Sequence, residues 1–351
     1  MTSGSNSTGS ATPSATRLTE VRVEDAVGLA LAHDLTRIVP GEFKGRLFRK
    51  GHVVREEDIP ELHKIGKAHI YVLQLGTADL HEDEAAQRMA AAAGGAGLAA
   101  TEPSEGKVLL RASAGGLARV AKPFIDDVNG IGQLAMATLT DCTVVRSGQT
   151  IAGTRVIPLV VERERVERVE AAAAVWREAH GGAAPIHVLP FRPLRVGLVT
   201  TGGEVFSGLI EDKFGPVVRA RVEAFGSAVV EQRFSPDDSE AIVREIRYFL
   251  ELGVDLILIT GGMSVDPDDR TPGAIKQAGA RIVSHGTPML PGSMLMMAYL
   301  GDTPVMGLPG GVIHDKFTVF DVLLPRVCAG VAIERNDIVQ LGYGGLFADR
   351  G

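Results

Sequence analysis

Residues 254–272 read VDLILITGGMSVDPDDRTP, and the fold follows from how this stretch is punctuated. Within the strand expected over Val254–Thr260, Leu256–Ile259 is an apolar run without polar alternation, as expected of a parallel strand covered on both faces. It stops at Gly261-Gly262, residues that suit a sharp turn and a close backbone approach. Asp266, Asp268 and Asp269 follow, then Arg270. Thr271-Pro272 is a helix N-cap with proline in the first position. Strand, glycine turn and helix make the repeating unit of an open α/β sheet.

The same pattern extends outward. Further strands are expected at Arg195–Thr200, Ala228–Arg233, Arg281–Ser284, Ser293–Tyr299 and Pro304–Leu308, alternating with amphipathic helices. One helix carries Ile242, Ile246, Phe249 and Leu250 on one face and Glu240, Arg244, Arg247 and Glu251 on the other. Ser235 is its expected cap, with Pro236 at the first helical position and Asp238 as the acid of a capping box. The preceding helix places Val218, Val222 and Phe225 on one stripe and ends at Gly226. The last helix is expected over Ile313–Ala329. The class is therefore α/β, a mostly parallel sheet with helices on both faces over residues 194–330.

Smaller α+β regions precede it. Residues 1–18 form a Ser/Thr/Gly-rich tail. Residues 19–93 hold a helix at Glu24–His33, a hairpin-like basic stretch over Lys44–Val54, helices at Glu56–Ile65 and Leu80–Ala93, and a strand at Ala68–Leu75. Residues 94–190 are a β-rich region with strands at Lys107–Ala112, Thr143–Arg146 and Arg155–Val161, a helix at Val128–Thr138, and a helical linker from Glu162. Residues 331–351 complete the chain as a C-terminal tail.

Composition narrows the function. A net charge of −7 and 5% aromatic residues give no basic face or stacking surface for nucleic acid. No run reaches the length of a membrane span, and the tail has no apolar core of a signal peptide, so a cytoplasmic protein is expected. Cys142 and Cys328 have no metal-type spacing and are expected as reduced thiols. His33, His52, His69, His81 and His285 share no metal-ligand spacing and are expected in ordinary packing or surface roles. His314, at the start of the last helix, is expected in an ordinary surface role, with reach to the ligand edge as the alternative. The basic run Lys44–Lys50 is expected as solvated surface.

In an open α/β sheet, ligands bind outside the carboxyl ends of the strands. Thr200-Thr201-Gly202-Gly203-Glu204 follows the first strand. Its glycines and threonines suit phosphate oxygens, although alone they equally fit an ordinary tight turn. Thr260-Gly261-Gly262-Met263-Ser264 follows the third, and its neighbours Asp266, Asp268 and Asp269 suit Mg²⁺ shared with a phosphorylated ligand; a solvated acidic loop is the alternative. Leu308-Pro309-Gly310-Gly311 follows the last strand. Pro288-Met289-Leu290-Pro291-Gly292-Ser293 either lines the same edge or is a plain connection. No Gly-x-Gly-x-x-Gly follows the first strand, which argues against a dinucleotide site.

These four stretches, in their order along the chain, resemble the molybdopterin-binding domain of molybdopterin molybdenumtransferases, gephyrin-type proteins and molybdopterin adenylyltransferases. More weakly, Asp25-Ala26-Val27-Gly28 with Leu31-Ala32-His33-Asp34 resembles the opening of the molybdenumtransferase chain. The resemblance implies a pterin dithiolene phosphate ligand, molybdate and Mg²⁺, other small domains beside the α/β domain, often a dimer, and a molybdenum-enzyme or cofactor-pathway partner. The departures are specific. The family's Thr-Gly-Asp-Glu has Gly203 for its aspartate, Asp-Ser-Asn is Asp212-Lys213-Phe214, Pro-Gly-Lys-Pro is Pro291-Gly292-Ser293-Met294, and Leu-Pro-Gly-Asn ends in Gly311.

Three functions fit this pattern. In molybdenum insertion, the glycine loops hold the pterin phosphate, Glu204, Asp266 and Asp269 act on Mg²⁺ and molybdate, and Asp268 adds a metal ligand. A non-catalytic molybdopterin carrier or sensor fits the missing aspartate and lysine. A nucleotide pyrophosphatase of the competence-damage type fits Asp268-Asp269-Arg270-Thr271.

Overall fold

The computed structural model describes residues 16–39, 43–263 and 270–347. The chain divides into two units, one built mainly from residues up to Val188 and one mainly from Leu189 onward.

In the first unit, Arg17–Arg22 and Ala30–Leu31 flank His69–Gln74 in an antiparallel sheet. Val23, Leu31, Leu62 and Val72 form its small core. The helix expected at Glu24–His33 is instead a short 3-10 turn, Val23–Ala26, followed by extended chain. Gly28 takes φ +82, and its N–H donates to the Val54 carbonyl at 2.8 Å, so the chain turns out of helical geometry there. Phe43–Phe48 pairs with Leu35–Val39 rather than folding back on itself over Lys44–Val54. The expected helix Val128–Thr138 is displaced to Lys122–Gly130, and Leu134–Thr138 is a strand. Gly132 and Gln133, both at positive φ, break the helix. The Asn129 side chain then pins the return by bonding the Met136 amide at 2.7 Å and carbonyl at 3.0 Å. Helix Glu82–Ala93 packs on the sheet containing Lys107–Ala112 and Thr150–Val156 and on helix Arg163–Ala179. The two sequence regions meeting near residue 94 thus share one unit. A two-pronged ion pair, Arg88 to Glu170 with both bonds at 2.8 Å, joins the helices.

The second unit contains β1 (Arg195–Thr201), α1 (Gly203–Phe206), α2 (Phe214–Glu223), β2 (Ala228–Ser235), α3 (Ser239–Glu251), β3 (Leu256–Thr260), α4 (Thr271–Gln277), β4 (Arg281–His285), β5 (Met296–Leu300), β6 (Thr303–Leu308), α5 (Gly311–His314), α6 (Val319–Cys328) and α7 (Arg335–Gln340). Its six-stranded sheet runs β2-β1-β3-β6-β5-β4. The pairs among β2, β1, β3 and β6 are parallel; β5 is antiparallel to both its neighbours. The α/β class expected from the sequence is the class observed.

Alternate strand residues enter two cores. Val196, Leu198, Leu256, Leu258 and Met306 face α2 and α6. Val199, Ile257, Ile259 and Val305 face α3 and α4. Gly197 lets α3 come close, since a Cβ there would lie 2.5 Å from the Phe249 ring.

Four local expectations change. Asp238, not Ser235, caps α3, accepting from the Ala241 amide at 2.8 Å; Ser235 is the last residue of β2. Leu250 is 41% exposed while Ile242, Ile246 and Phe249 are fully buried, because it falls at the edge of the apolar stripe. The final helix breaks after His314 and restarts at Val319, where Thr318 and Asp321 form a capping box. The segment after residue 330 is not a bare tail up to residue 347: Ile333 and Ile338 of the α7 region enter the core, and the Ile333 amide donates to the Tyr299 hydroxyl at 2.9 Å. Cys328 is buried and neither cysteine is in a disulfide. Among the described residues, no helix is long and apolar enough to cross a membrane.

Candidate functional site

β1, β3 and β6 are neighbours, and their last residues stand level: Thr200 pairs with Thr260, and Thr260 with Leu308. Each strand then releases its glycine loop at the same sheet edge. β1 sends the chain to β2 on one side while β3 lies on the other, so the edge includes the switch point where α/β sheets open a crevice. β5 is antiparallel to β6, with Met296 opposite Gly307. The turn before β5 therefore arrives at this edge too, through the cis Leu290–Pro291 bond.

Gly261, Gly262 and Met263, then Gly292, Ser293 and Met294, then Leu308 to Gly311, line one cavity of about 340 Å³, with Phe214 of α2 completing it. Gly261 (φ +90) lies so close to the first loop that a Cβ would stand 2.3 Å from the Thr201 carbonyl oxygen. The threonines hold the two loops together. Thr201 Oγ1 donates to the Thr260 carbonyl at 3.1 Å, and Thr271 Oγ1 to the Gly261 carbonyl at 2.9 Å. Thr260 Oγ1 donates to Thr200 Oγ1 at 3.3 Å. All four are buried.

The backbone amides divide into two groups. Gly202 N–H donates to the Ser235 carbonyl at 3.1 Å, and Gly203 N–H to Asp237 Oδ2 at 3.0 Å, so the first loop turns these donors toward the β2–α3 connection. The amides of Gly262, Gly310 and Gly311 meet no acceptor among the described residues. Free amides beside a cavity suit an anion. The three lining stretches and Phe214 together include no ionisable side chain.

A second, larger cavity of about 610 Å³ sits at the opposite edge, around Leu194, Val254 and Thr303 at the amino ends of the strands. It has none of the glycine loops.

Residues 197–328 match the family described as "Probable molybdopterin binding domain". This part of the chain is a domain of the molybdopterin-binding family. Residues 20–74 match a second family, described as a domain of unknown function (DUF8806). Among curated proteins, a molybdopterin molybdenumtransferase of Synechococcus elongatus is 28% identical over 146 residues, covering 39% of this chain and 36% of that protein. The chain thus spans little more than a third of that relative's length. A CinA-like protein of Mycobacterium tuberculosis is 35% identical over 77 residues, covering 22% of this chain and 18% of that protein. Among solved structures, the molybdopterin biosynthesis enzyme MoaB from Thermus thermophilus is 24% identical, covers 38% of this chain and 91% of its own, and gives a TM-score of 0.32.

Within the molybdopterin-binding domain, the structure brings together Gly261, Gly262, Met263, Gly292, Leu308, Pro309, Gly310 and Gly311. Thr200, Thr201, Gly202 and Gly203 adjoin this group without lining the cavity. Pro291 directly precedes Gly292, and Thr260 ends β3 beneath the loop. Glu204 is exposed on α1, and His314 is exposed beyond the lining. Ser264, Asp266, Asp268 and Asp269 lie outside the described residues. Among those described, no group of three or more His, Cys, Asp or Glu is placed to hold a metal ion.

Sequence reasoning missed Phe214 as a wall of the site. Asp212 fixes the start of its helix, accepting from the amides of Phe214 at 2.9 Å and Gly215 at 3.0 Å. Gln232 Nε2 then ties Asp212 Oδ2, at 2.6 Å, to Thr200 Oγ1, at 2.9 Å. The usable signal was the position itself, where the family's Asp-Ser-Asn becomes Asp212-Lys213-Phe214.

Proposed function

We propose that this chain binds a phosphorylated pterin of the molybdopterin type in molybdenum cofactor biosynthesis, in the cytoplasm, and serves the insertion of molybdenum. One observation carries the reading: in the domain that matches the molybdopterin-binding family, three glycine-bearing stretches meet at the carboxyl edge of β3 and β6 around a single cavity. The amides of Gly262, Gly310 and Gly311, which meet no acceptor among the described residues, are the donors for the phosphate. Such donors hold an anion without a balancing side-chain charge, in keeping with the chain's net charge of −7. Molybdate is a substrate in this reading, brought to the bound pterin by proximity. Glu204 is the acid assigned to the reacting edge. Because the described residues offer no cation site, no step is assigned to Mg²⁺. A client molybdenum enzyme and a second copy of the chain are the partners this reading implies.

A second reading, a carrier that binds without turnover, is favoured by a specific observation. The described cavity lining has no ionisable side chain, and Gly203, Ser293 and Gly311 stand where the resembled family has acid, lysine and asparagine. One experiment separates the readings. The full chain is titrated with molybdopterin by calorimetry, then incubated with adenylylated molybdopterin, molybdate and Mg²⁺, and the product is used to reconstitute a cofactor-free molybdenum enzyme. Binding with reconstitution that falls in Glu204→Gln supports insertion. Binding without reconstitution supports the carrier. Absence of binding rejects both.

A further inference from the structure

The cavity at the carboxyl edge has one aromatic wall. Phe214 is partly buried and lines it. From the same helix, Val218 and Val222 are fully buried in the core and Val217 packs against it, whereas Phe214 belongs to neither set. Its ring has no aromatic partner among the described residues. The helix start that carries it is fixed by Asp212, which takes two backbone amides and is itself held by Gln232. Gln232 also reaches Thr200 at the end of β1. The ring is thus carried on a braced element, faces a cavity, and is not consumed by packing. Met263, Met294 and Leu308 give the same cavity further uncharged surface.

A partly exposed ring in such a place has a chemical use. Aromatic faces stack on flat heterocycles, largely independent of which heterocycle it is. Free amides at Gly310 and Gly311 suit the anionic end of a ligand, leaving its ring to be recognised by something else. We propose that Phe214 is the stacking platform for the ring system of the bound ligand, and so a determinant of specificity for flat bicyclic heterocycles over ring-free phosphates. This rests on the pterin reading above and adds to it the residue that recognises the ring.

The test uses the full chain and four forms: wild type, Phe214→Leu, Phe214→Tyr and Phe214→Trp. Thermal melting first establishes that each is folded, with Phe214→Tyr as the conservative reference. Molybdopterin is titrated into each, and inorganic phosphate is used as competitor. Phe214→Leu is expected to weaken molybdopterin about tenfold, equivalent to about 1.4 kcal/mol, while phosphate competes unchanged. Phe214→Tyr and Phe214→Trp are expected to stay within about threefold of wild type, and the new indole emission to be quenched on binding. If wild type binds but Phe214→Leu matches it within twofold and Phe214→Trp shows no quenching, the platform is overturned and the pterin reading stands. If wild type binds no molybdopterin, the pterin reading fails, and the same titration with GMP decides the platform. A tenfold loss in Phe214→Leu then supports it, and absence of binding overturns it too.

Discussion

The Met263 thioether occupies the space where a side chain on Gly307 would stand: a Cβ at Gly307 would lie 2.5 Å from the Met263 sulfur. This joins the loop after β3 to the strand that delivers the loop after it. Gly307→Ala is expected to push Met263 out of its seat, because the flexible thioether yields before backbone does. Overpacking of this kind costs about 1–3 kcal/mol, and ligand affinity should fall as Met263 enters the cavity. Met263→Ala in the same chain removes the clash. Denaturant unfolding of both single variants and the double should show a double-mutant loss clearly smaller than the sum. Simple additivity would mean that the two residues are not coupled.

The two Thr-Gly-Gly stretches look alike in sequence and differ in space. Gly261 takes φ +90 with a carbonyl oxygen 2.3 Å from its Cβ position, whereas Gly203 has open space there. A backbone oxygen cannot swing aside as a side chain does. Gly261→Ala should therefore cost at least about 2 kcal/mol and abolish molybdopterin binding by parting the first two loops. Gly203→Ala should stay within about 0.5 kcal/mol of wild type. Thermal melts and calorimetric titrations of the pair check this directly.

Arg221 ties the helix that carries Phe214 to the chain that joins α5, the short helix following Gly310, to α6. Its guanidinium donates to Asp321 Oδ2 at 3.0 Å and to the Asp315 carbonyl at 2.7 Å. The ion pair is only 16% and 20% exposed. Removing one partner of a fully buried pair costs about 3–5 kcal/mol. With this residual exposure, Arg221→Met is expected to cost about 2 kcal/mol. Amide exchange should accelerate over Gly311–Asp315 more than over β3; uniform acceleration would show a merely global effect.

The parts of the fold legible in the sequence were those with local signals. Leu256–Ile259 is apolar throughout because the strand is buried on both faces, and its end is marked by Thr260 and by glycines whose positive φ the structure shows. Strands of the N-terminal unit carried little of this. Arg17–Arg22 finds its partner at His69–Gln74, some fifty residues on, and the helical spacing of Ala26, Leu29 and Ala30 conceals the turn at Gly28. The restart at Val319 was readable: Thr318 and Asp321 have the spacing of a capping box. In the site, glycine positions were legible and the direction of their amides was not. Ser235 and Asp237 claim the Gly202 and Gly203 donors from a connection whose position only the sheet order determines. Phe214 was hidden for a related reason: it stands four and eight residues before Val218 and Val222, so periodicity alone puts it on their core stripe, whereas it lines the cavity.

Two acids of the first unit should titrate in opposite senses. Burial pushes the Glu82 carboxyl above its ordinary value, outweighing the pull of His81 and Arg155. The folded state therefore binds this proton more tightly than the unfolded chain does. Its stabilising contribution is present below about pH 4.5, the ordinary value, and is lost as pH rises through the raised folded value. Glu170 is the reverse: its hydrogen bonds from Arg88 hold the carboxyl below the usual range. Its contribution is present above the ordinary value and is lost as pH falls through the lowered one. Glu82→Gln is accordingly expected to melt higher than wild type at pH 7 and to converge on it near pH 4. Glu170→Gln is expected to melt lower at pH 7 and to converge at still lower pH. Scanning calorimetry of the three chains from pH 3 to pH 8 gives both slopes. A Glu82→Gln difference that stays flat, or turns negative at neutral pH, would show that hydrogen bonding of the charged carboxylate at this helix start outweighs its burial.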